Sequence, residues 1–526
     1  MQVVTTLPDL DTLTLAELVA QMVVVRASGY LFDRQIQYPV WEPTAAKLQH
    51  LIELGVGGVI FLGGSAVELT LRAQQVQNWA KIPLLISADI EEGVGQRFSG
   101  ATWFAPPMAI SSIARQNPSL AQQYAQQMGA ITAQEALAIG INWILAPTVD
   151  VNNNPNNPVI NIRAFGENPA EVSQLTTAFI QGAKNYPALT TAKHFPGHGD
   201  TSIDSHFDLP IIPHSPQRLA EIELPPFQAA IASGVDAVMS AHLIIKCWDA
   251  ENPATLSAEI LTHQLRQNLG FTGLIVTDAL VMGAIANRYG ANEAPVLAVE
   301  AGADILLMPL DPEGAIKAVC SAVESGRISP YRIRDSVERI WHAKAKVSHT
   351  VAPDTIATQL AQSAASDTVM SILQASGQVY GKVPLQLSSP TEELLNVVVV
   401  DQLLTCNKFL NPQAPAIAIP QQLGYTTWLC DRHTPLNNDL AIDRPTLLQL
   451  FIRSNPFQDS TGLTDVAISW FKKLLSSNNL QALVIYGSPY VLEKFMPAAN
   501  SSTPCVFSYG QMPDAQAIAL QSLFGV

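Results

Sequence analysis

Residues 193 to 206 read Lys-His-Phe-Pro-Gly-His-Gly-Asp-Thr-Ser-Ile-Asp-Ser-His, and these fourteen positions hold three histidines, two aspartates and a lysine. Pro196, Gly197 and Gly199 interrupt any helix or strand, so the stretch reads as a loop. Functional groups gather on loops that a rigid scaffold holds. Two kinds of chemistry suit these residue types. His194, His198, Asp200 and His206, with Asp278 further along, are potential ligands for a metal-assisted hydrolysis. Lys193 among them and Arg163 nearby are poor neighbours for a cation. The other chemistry is nucleophile plus acid/base. Glycoside hydrolysis needs a nucleophilic carboxylate and a proton donor on the far side of the scissile bond. Asp278 ends an apolar run and suits the first part. Asp204-Ser205-His206 suits the second, because an aspartate can orient and charge-stabilise an imidazole.

Such groups need elements to position them. Eight apolar runs occur in order: 22–25, 58–62, 84–88, 141–147, 189–194, 237–242, 274–280 and 304–309. Near-continuous runs of this length suit strands covered on both faces, as in parallel sheets. Helical spacing with start and stop signals lies between them, at Pro118 to Leu137, Ala170 to Asn185, Pro216 to Ser233 and Ser257 to Leu269. Eight such units predict a (β/α)8 barrel over residues 1–346. An open doubly wound sheet lacks its glycine fingerprint after the first strand. Residues 347–385 read as a linker with a helical stretch from Thr355 to Leu373. Residues 386–526 read as a smaller α/β sandwich-like domain, with strands expected at 396–400, 416–419, 446–452, 482–487 and 505–510.

In barrels of this kind the site lies at the C-terminal ends of the strands. There the chain places Asp89, Glu91 and Glu92 (strand 3), Asp150 and then Arg163 (strand 4), Lys193 and His194 (strand 5), His242 (strand 6), Asp278 (strand 7) and Asp311 (strand 8).

Composition narrows the partners. The net charge is −15 and no Lys/Arg-rich run occurs, so nucleic acid is not an expected partner. Five scattered cysteines lack CxxC spacing, which argues against a disulfide framework or a structural zinc site. The N-terminus has no basic region followed by an apolar one, and no apolar run reaches the roughly 20 residues of a membrane span. A cytoplasmic protein is expected.

The run Lys193-His194-Phe195-Pro196-Gly197-His198-Gly199 followed by Asp204-Ser205-His206 resembles the signature of bacterial β-N-acetylglucosaminidases of glycoside hydrolase family 3. Asp89, the Arg163-Ala164-Phe165-Gly166 stretch and Thr277-Asp278-Ala279-Leu280-Val281-Met282 fit the same family. The resemblance implies a barrel followed by an α/β sandwich and a retaining exo-glycosidase acting on terminal β-linked N-acetylglucosamine, with a small saccharide or muropeptide as substrate. It implies Asp278 as nucleophile, His206 as acid/base, and Asp204 as the carboxylate that polarises His206. Asp89, Arg163, Lys193 and His194 would bind hydroxyls of the non-reducing sugar, and no metal or organic cofactor is expected. Two positions depart from the family pattern: Glu92 stands for a Gly and Val94 for an Arg, with Arg97 nearby. His198 and Asp200 read better as loop-organising residues than as reactive ones. A β-glucosidase of the same family, a metal-dependent barrel hydrolase and a non-catalytic sugar-binding protein are the alternative readings.

Overall fold

The computed structural model describes residues 7–205, 208–347, 356–386, 393–434, 444–453, 465–496 and 503–525. Eight parallel strands form the first sheet: β1 (Val23–Ala27), β2 (Gly58–Phe61), β3 (Leu85–Ala88), β4 (Trp143–Ile144), β5 (Leu189–Phe195), β6 (Ala237–Ser240), β7 (Leu274–Val276) and β8 (Leu306–Leu307). Each pairs with its neighbour in sequence, and β1 pairs with β8. A parallel bridge between Val276 and Ile305 joins β8 to β7 and closes the ring. Strand residues are buried almost throughout, because helices cover the outside and side chains fill the inside.

The helices start where local chemistry lets them. Thr14 caps Leu15–Gln21 in a reciprocal box with Glu17, and Asn168 caps Pro169–Ala183. The helix expected over 216–233 is split into Pro216–Glu221 and Leu224–Ala232. Pro225 and Pro226 lack the N–H groups a continuous helix would need there. Residues Glu259–Asn268, expected as an ordinary helix, wind as a π-helix. Asp311, expected among the polar groups at the strand ends, instead accepts the N–H of Gly314 at 3.1 Å and caps Pro312–Glu324.

The second domain is built on six strands: β9 (Gln378–Tyr380), β10 (Leu394–Val400), β11 (Tyr425–Cys430), β12 (Thr446–Ile452), β13 (Leu480–Gly487) and β14 (Cys505–Ser508). Their order across the sheet is β9-β14-β13-β12-β10-β11, parallel except for the edge strand β9. One expected strand is overturned: residues 416–419 lie in the helix Pro415–Gln422, which starts on Pro415, and the strand is Tyr425–Cys430 instead. Strand β10 is buried on both faces. Leu395, Val397 and Val399 join a core continuous with the barrel's, while Leu394, Val398 and Val400 join a separate one with Phe451, Tyr486 and Leu520. The period-two alternation thus seats the domain against the barrel on one side and under its own helices on the other. Among the described residues no helix is long and apolar enough to cross a membrane.

Candidate active site

Lys193 ends the straight part of β5, and its side chain is almost wholly buried. Its ammonium lies 2.8 Å from Asp89 Oδ1 and 2.5 Å from Glu91 Oε1. Arg163 grips the same Glu91 carboxylate with two bonds, Nε to Oε2 at 2.9 Å and Nη2 to Oε1 at 2.8 Å, and donates to the Val159 carbonyl at 2.9 Å. Two cations and two carboxylates therefore form one cage across the ends of β3, β4 and β5. Burial alone would raise the Glu91 pKa, but Arg163 and Lys193 hold it well below the usual carboxylate range. Burial works against the charge on Lys193 too, yet Asp89 and Glu91 overcome it and the pKa is raised. Glu91, Arg163 and Lys193 are thus each held in their charged forms by their neighbours. The side chain of Asp89 is 28% exposed, against 2% and 5% for Lys193 and Glu91, so Asp89 is the cage's open edge.

A second cluster sits on Asp150, after β4. Its carboxylate accepts the backbone N–H of His194 (3.1 Å) and of His198 (2.7 Å) and contacts His194 Nδ1 at 2.8 Å. One fully buried carboxylate therefore fixes both ends of the turn that carries the histidines. Burial tends to raise its pKa, but His194 and the N–H donors leave it lowered. Asn157 completes the brace by donating to the carbonyls of His198 and Gly199 at 2.8 Å each. Gly199 is obligatory here: a Cβ would lie 1.7 Å from the Val151 carbonyl oxygen. Gly197 adopts φ +131°, where a side chain is strained and would meet Glu223.

His198 is buried, with Nε2 2.9 Å from Ser205 Oγ and Nδ1 3.2 Å from Thr201 Oγ1. Burial and the neighbouring His194 push its pKa down to about 4 despite Asp150. The folded protein therefore binds fewer protons than the unfolded chain between the ordinary histidine value of about 6.5 and about 4. Stability from this group is complete above about 6.5 and is lost as pH falls through that window. Thermal unfolding of the wild type followed across these pH values should show this slope, and His198→Gln should flatten it. An equally steep acid limb in the variant would contradict the assignment.

Asp200 pairs with His214 (2.9 Å) and Arg218 (3.4 Å), away from the cage. Asp204 and Ser205 are buried, and His206 lies outside the described residues. Across the barrel, Asp278 follows β7 and is half-buried, and its charge is felt at His198. The preceding Thr277 is locked to β8 by accepting the Leu307 N–H at 2.9 Å. His242 contacts the Ala279 carbonyl (3.1 Å) and Thr255 (2.8 Å), beside Asp278. Among the described residues no group of three or more His, Cys, Asp or Glu is arranged to hold a metal ion.

Asp89, Arg163 and Lys193 thus meet in one cage, with His194 beside it on Asp150. The organising roles of Glu91 and Asp150 were not legible in the chain, although both stand at strand ends. Arg453 was missed altogether. It leaves the end of β12 and bonds Glu92 at 2.7 and 3.3 Å, while Trp103 donates to the same carboxylate at 2.9 Å. The residue that departs from the family pattern is therefore a socket for the second domain. Tyr490 adds to that contact, accepting from Asn152 at 2.8 Å and donating to Glu167 at 2.5 Å.

Comparison with known proteins agrees with this architecture. A β-hexosaminidase A from Pseudoalteromonas piscicida is 35% identical over 310 residues, covering 55% of this chain and 51% of that protein. The match thus spans about half the length of that relative. A β-hexosaminidase from Nitrosomonas eutropha is 32% identical over 306 residues, 56% of this chain and 86% of the relative. Among solved structures, a glycoside hydrolase family 3 β-N-acetylglucosaminidase from Paenibacillus superposes with a TM-score of 0.82 at 28% identity, covering 98% of this chain and 97% of that one. A β-glucoside phosphorylase shares the fold at 22% identity, with a TM-score of 0.82 and coverage of 98% and 93%. Residues 387–525 match the bacterial glycosyl hydrolase family 3 C-terminal domain. With residues 14–343 matching the N-terminal domain of the same family, the chain belongs to glycosyl hydrolase family 3.

Proposed function

We propose that this protein is a retaining exo-β-N-acetylglucosaminidase that removes terminal N-acetylglucosamine from peptidoglycan fragments. The observation that carries this reading is the buried cage of Asp89, Glu91, Arg163 and Lys193 at one side of the barrel mouth, with Asp278 just after β7 across from it. Rigid charged groups with one open edge suit the hydroxyls of a single sugar. The relatives named β-hexosaminidase support the same choice.

In this mechanism Asp89, Arg163, Lys193 and His194 hold the non-reducing sugar. An Asp278 oxygen attacks the anomeric carbon as the bond to the leaving oxygen breaks, and His206 gives that oxygen a proton. The product is a glycosyl ester on Asp278. Water then attacks the same carbon, His206 takes its proton, and Asp278 leaves as carboxylate. Two displacements give net retention. Asp204 keeps the imidazole oriented and stabilises its cationic form. All five cysteines are free thiols, which supports a reducing compartment, the cytoplasm.

The test is His206→Ala on an activated aryl N-acetyl-β-glucosaminide. A good leaving group needs no acid, so glycosylation should persist while hydrolysis of the ester becomes limiting. Azide, which needs no general base, should then restore the rate and yield a β-glycosyl azide. Kinetics identical to wild type would sink the assignment.

A further inference from the structure

Charge at the barrel mouth is not fully matched. Asp89 and Glu91 balance Lys193 and Arg163, and Glu92 is taken by Arg453. Two cations are left over. Arg97 donates from Nε to the Asp89 carbonyl at 3.1 Å, and Lys408 of the second domain donates to the Gln96 carbonyl with its ammonium 4.2 Å from the centre of the Trp103 ring. Among the described residues neither has a carboxylate within ion-pair distance. Lys408 is an exposed residue, yet its ammonium end is packed against the barrel. Burial of that end, with Arg97 beside it, brings its pKa down to about 8, only partly offset by Glu92. Two like charges are thus held close together by separate domains.

The second domain's topology points at the same place. Its sheet order reverses between β10 and β12, where strand order runs outward in both directions. In open parallel sheets ligands bind in the crevice at the carboxyl ends of such strands. Here those ends carry Asp401 and Arg453, and the short 3-10 helix Leu403–Lys408 follows β10. Burial raises the Asp401 carboxyl to about 7 against the pull of Arg432 and Arg453. Arg97 also acts on Arg26, beneath whose guanidinium the exposed Tyr38 and Trp41 stack at 6.1 Å. Their rings offer an apolar wall of the kind a sugar ring packs on.

We propose that Arg97 of the barrel and Lys408 of the second domain form a subsite for an anionic group, a carboxylate or a phosphate, on the leaving-side part of the substrate. This rests on the exo-glycosidase reading: the cleaved sugar sits in the cage against its open edge at Asp89, so the rest of the substrate lies outside that edge, toward Arg97 on the Asp89 carbonyl and Lys408 beside it. Rim charges act mainly through steering and modest attraction.

The experiment compares two aryl N-acetyl-β-glucosaminides whose phenols match in acidity, one neutral and one carrying a carboxylate. Wild type should favour the carboxylated compound in kcat/KM, with a preference that shrinks as salt is added. Lys408→Met should lower that preference about fivefold, and Lys408→Arg should keep it. Inorganic phosphate that competes with the carboxylated compound in wild type, and not in Lys408→Met, would assign a phosphate group. A preference without such competition would assign a carboxylate. Equal kcat/KM for both compounds in wild type, or a preference unmoved by Lys408→Met, overturns the subsite alone. Absence of turnover on both compounds overturns the glycosidase reading and the subsite with it.

Discussion

Asp278→Ala is expected to lower turnover of an aryl N-acetyl-β-glucosaminide by about four orders of magnitude or more, the scale on which loss of a nucleophile is felt. The expectation follows from where Asp278 stands. It stands two residues beyond the apolar strand β7, and the Thr277 between them is held because it accepts a bond from β8. Azide should partly restore the reaction by entering the space the carboxylate vacates. Its product is then an α-glycosyl azide, because a single displacement occurs from that face. His206→Ala with azide should give the β-anomer. Product configuration read by NMR thus separates the two roles without relying on rates. A residual rate within tenfold of wild type, or a β-glycosyl azide from Asp278→Ala, would remove Asp278 from the nucleophile's place.

The second large effect belongs to Glu91. Its carboxylate is buried between Arg163 and Lys193, and besides it Lys193 pairs with Asp89 while Arg163 feels Asp89 and Asp150 at longer range. Glu91→Ala leaves them buried and under-compensated, a change that costs about 3–5 kcal/mol in comparable cases. The apparent Tm should fall on the order of 10 °C. Sugar binding should weaken in parallel, seen as a raised KM for the aryl glycoside. The sign with pH is also determined. A carboxylate held below its unfolded pKa contributes stability above that value of about 4.3, and the contribution is lost as pH falls through the lower folded pKa. The gap between wild type and Glu91→Ala should therefore be constant from about pH 5 upward and narrow below about pH 4. An unchanged melting temperature in the variant would mean that the cage contributes no net stability.

Much of this was legible along the chain because it rests on short-range rules. Eight apolar runs separated by capped helices require strands buried on both faces, and all eight form the barrel. The signature stretch expected as a loop from 193 starts inside β5, which runs to Phe195, and bends beyond it where Gly197 and Gly199 stand, since no other residue fits those backbones. Local rules also misled. Residues 416–419 alternate in size like a strand, but Pro415 starts a helix there, and the β-branched and aromatic run at 425–430 takes the sheet position. Asp311 sits at a strand end and still faces a helix, because its carboxylate is used by the N–H of Gly314. Arg163 has Glu167 four residues away, and its partner is nonetheless Glu91, 72 residues back.

Residue type, spacing and breakers act within a few positions, so the linear chain was enough for the barrel, the second α/β domain and the family signature carrying Lys193, His194 and Asp278. Pairing of charges is different. It depends on which groups share a low-dielectric space after the strands have closed, and no local pattern encodes that distance. The ring of strands brings Glu91 between Arg163 and Lys193 and sets Asp150 beneath both His194 and His198. Docking of the second domain delivers Arg453 to Glu92 across 361 residues of sequence, turning an apparent departure from the family pattern into the joint between the two domains.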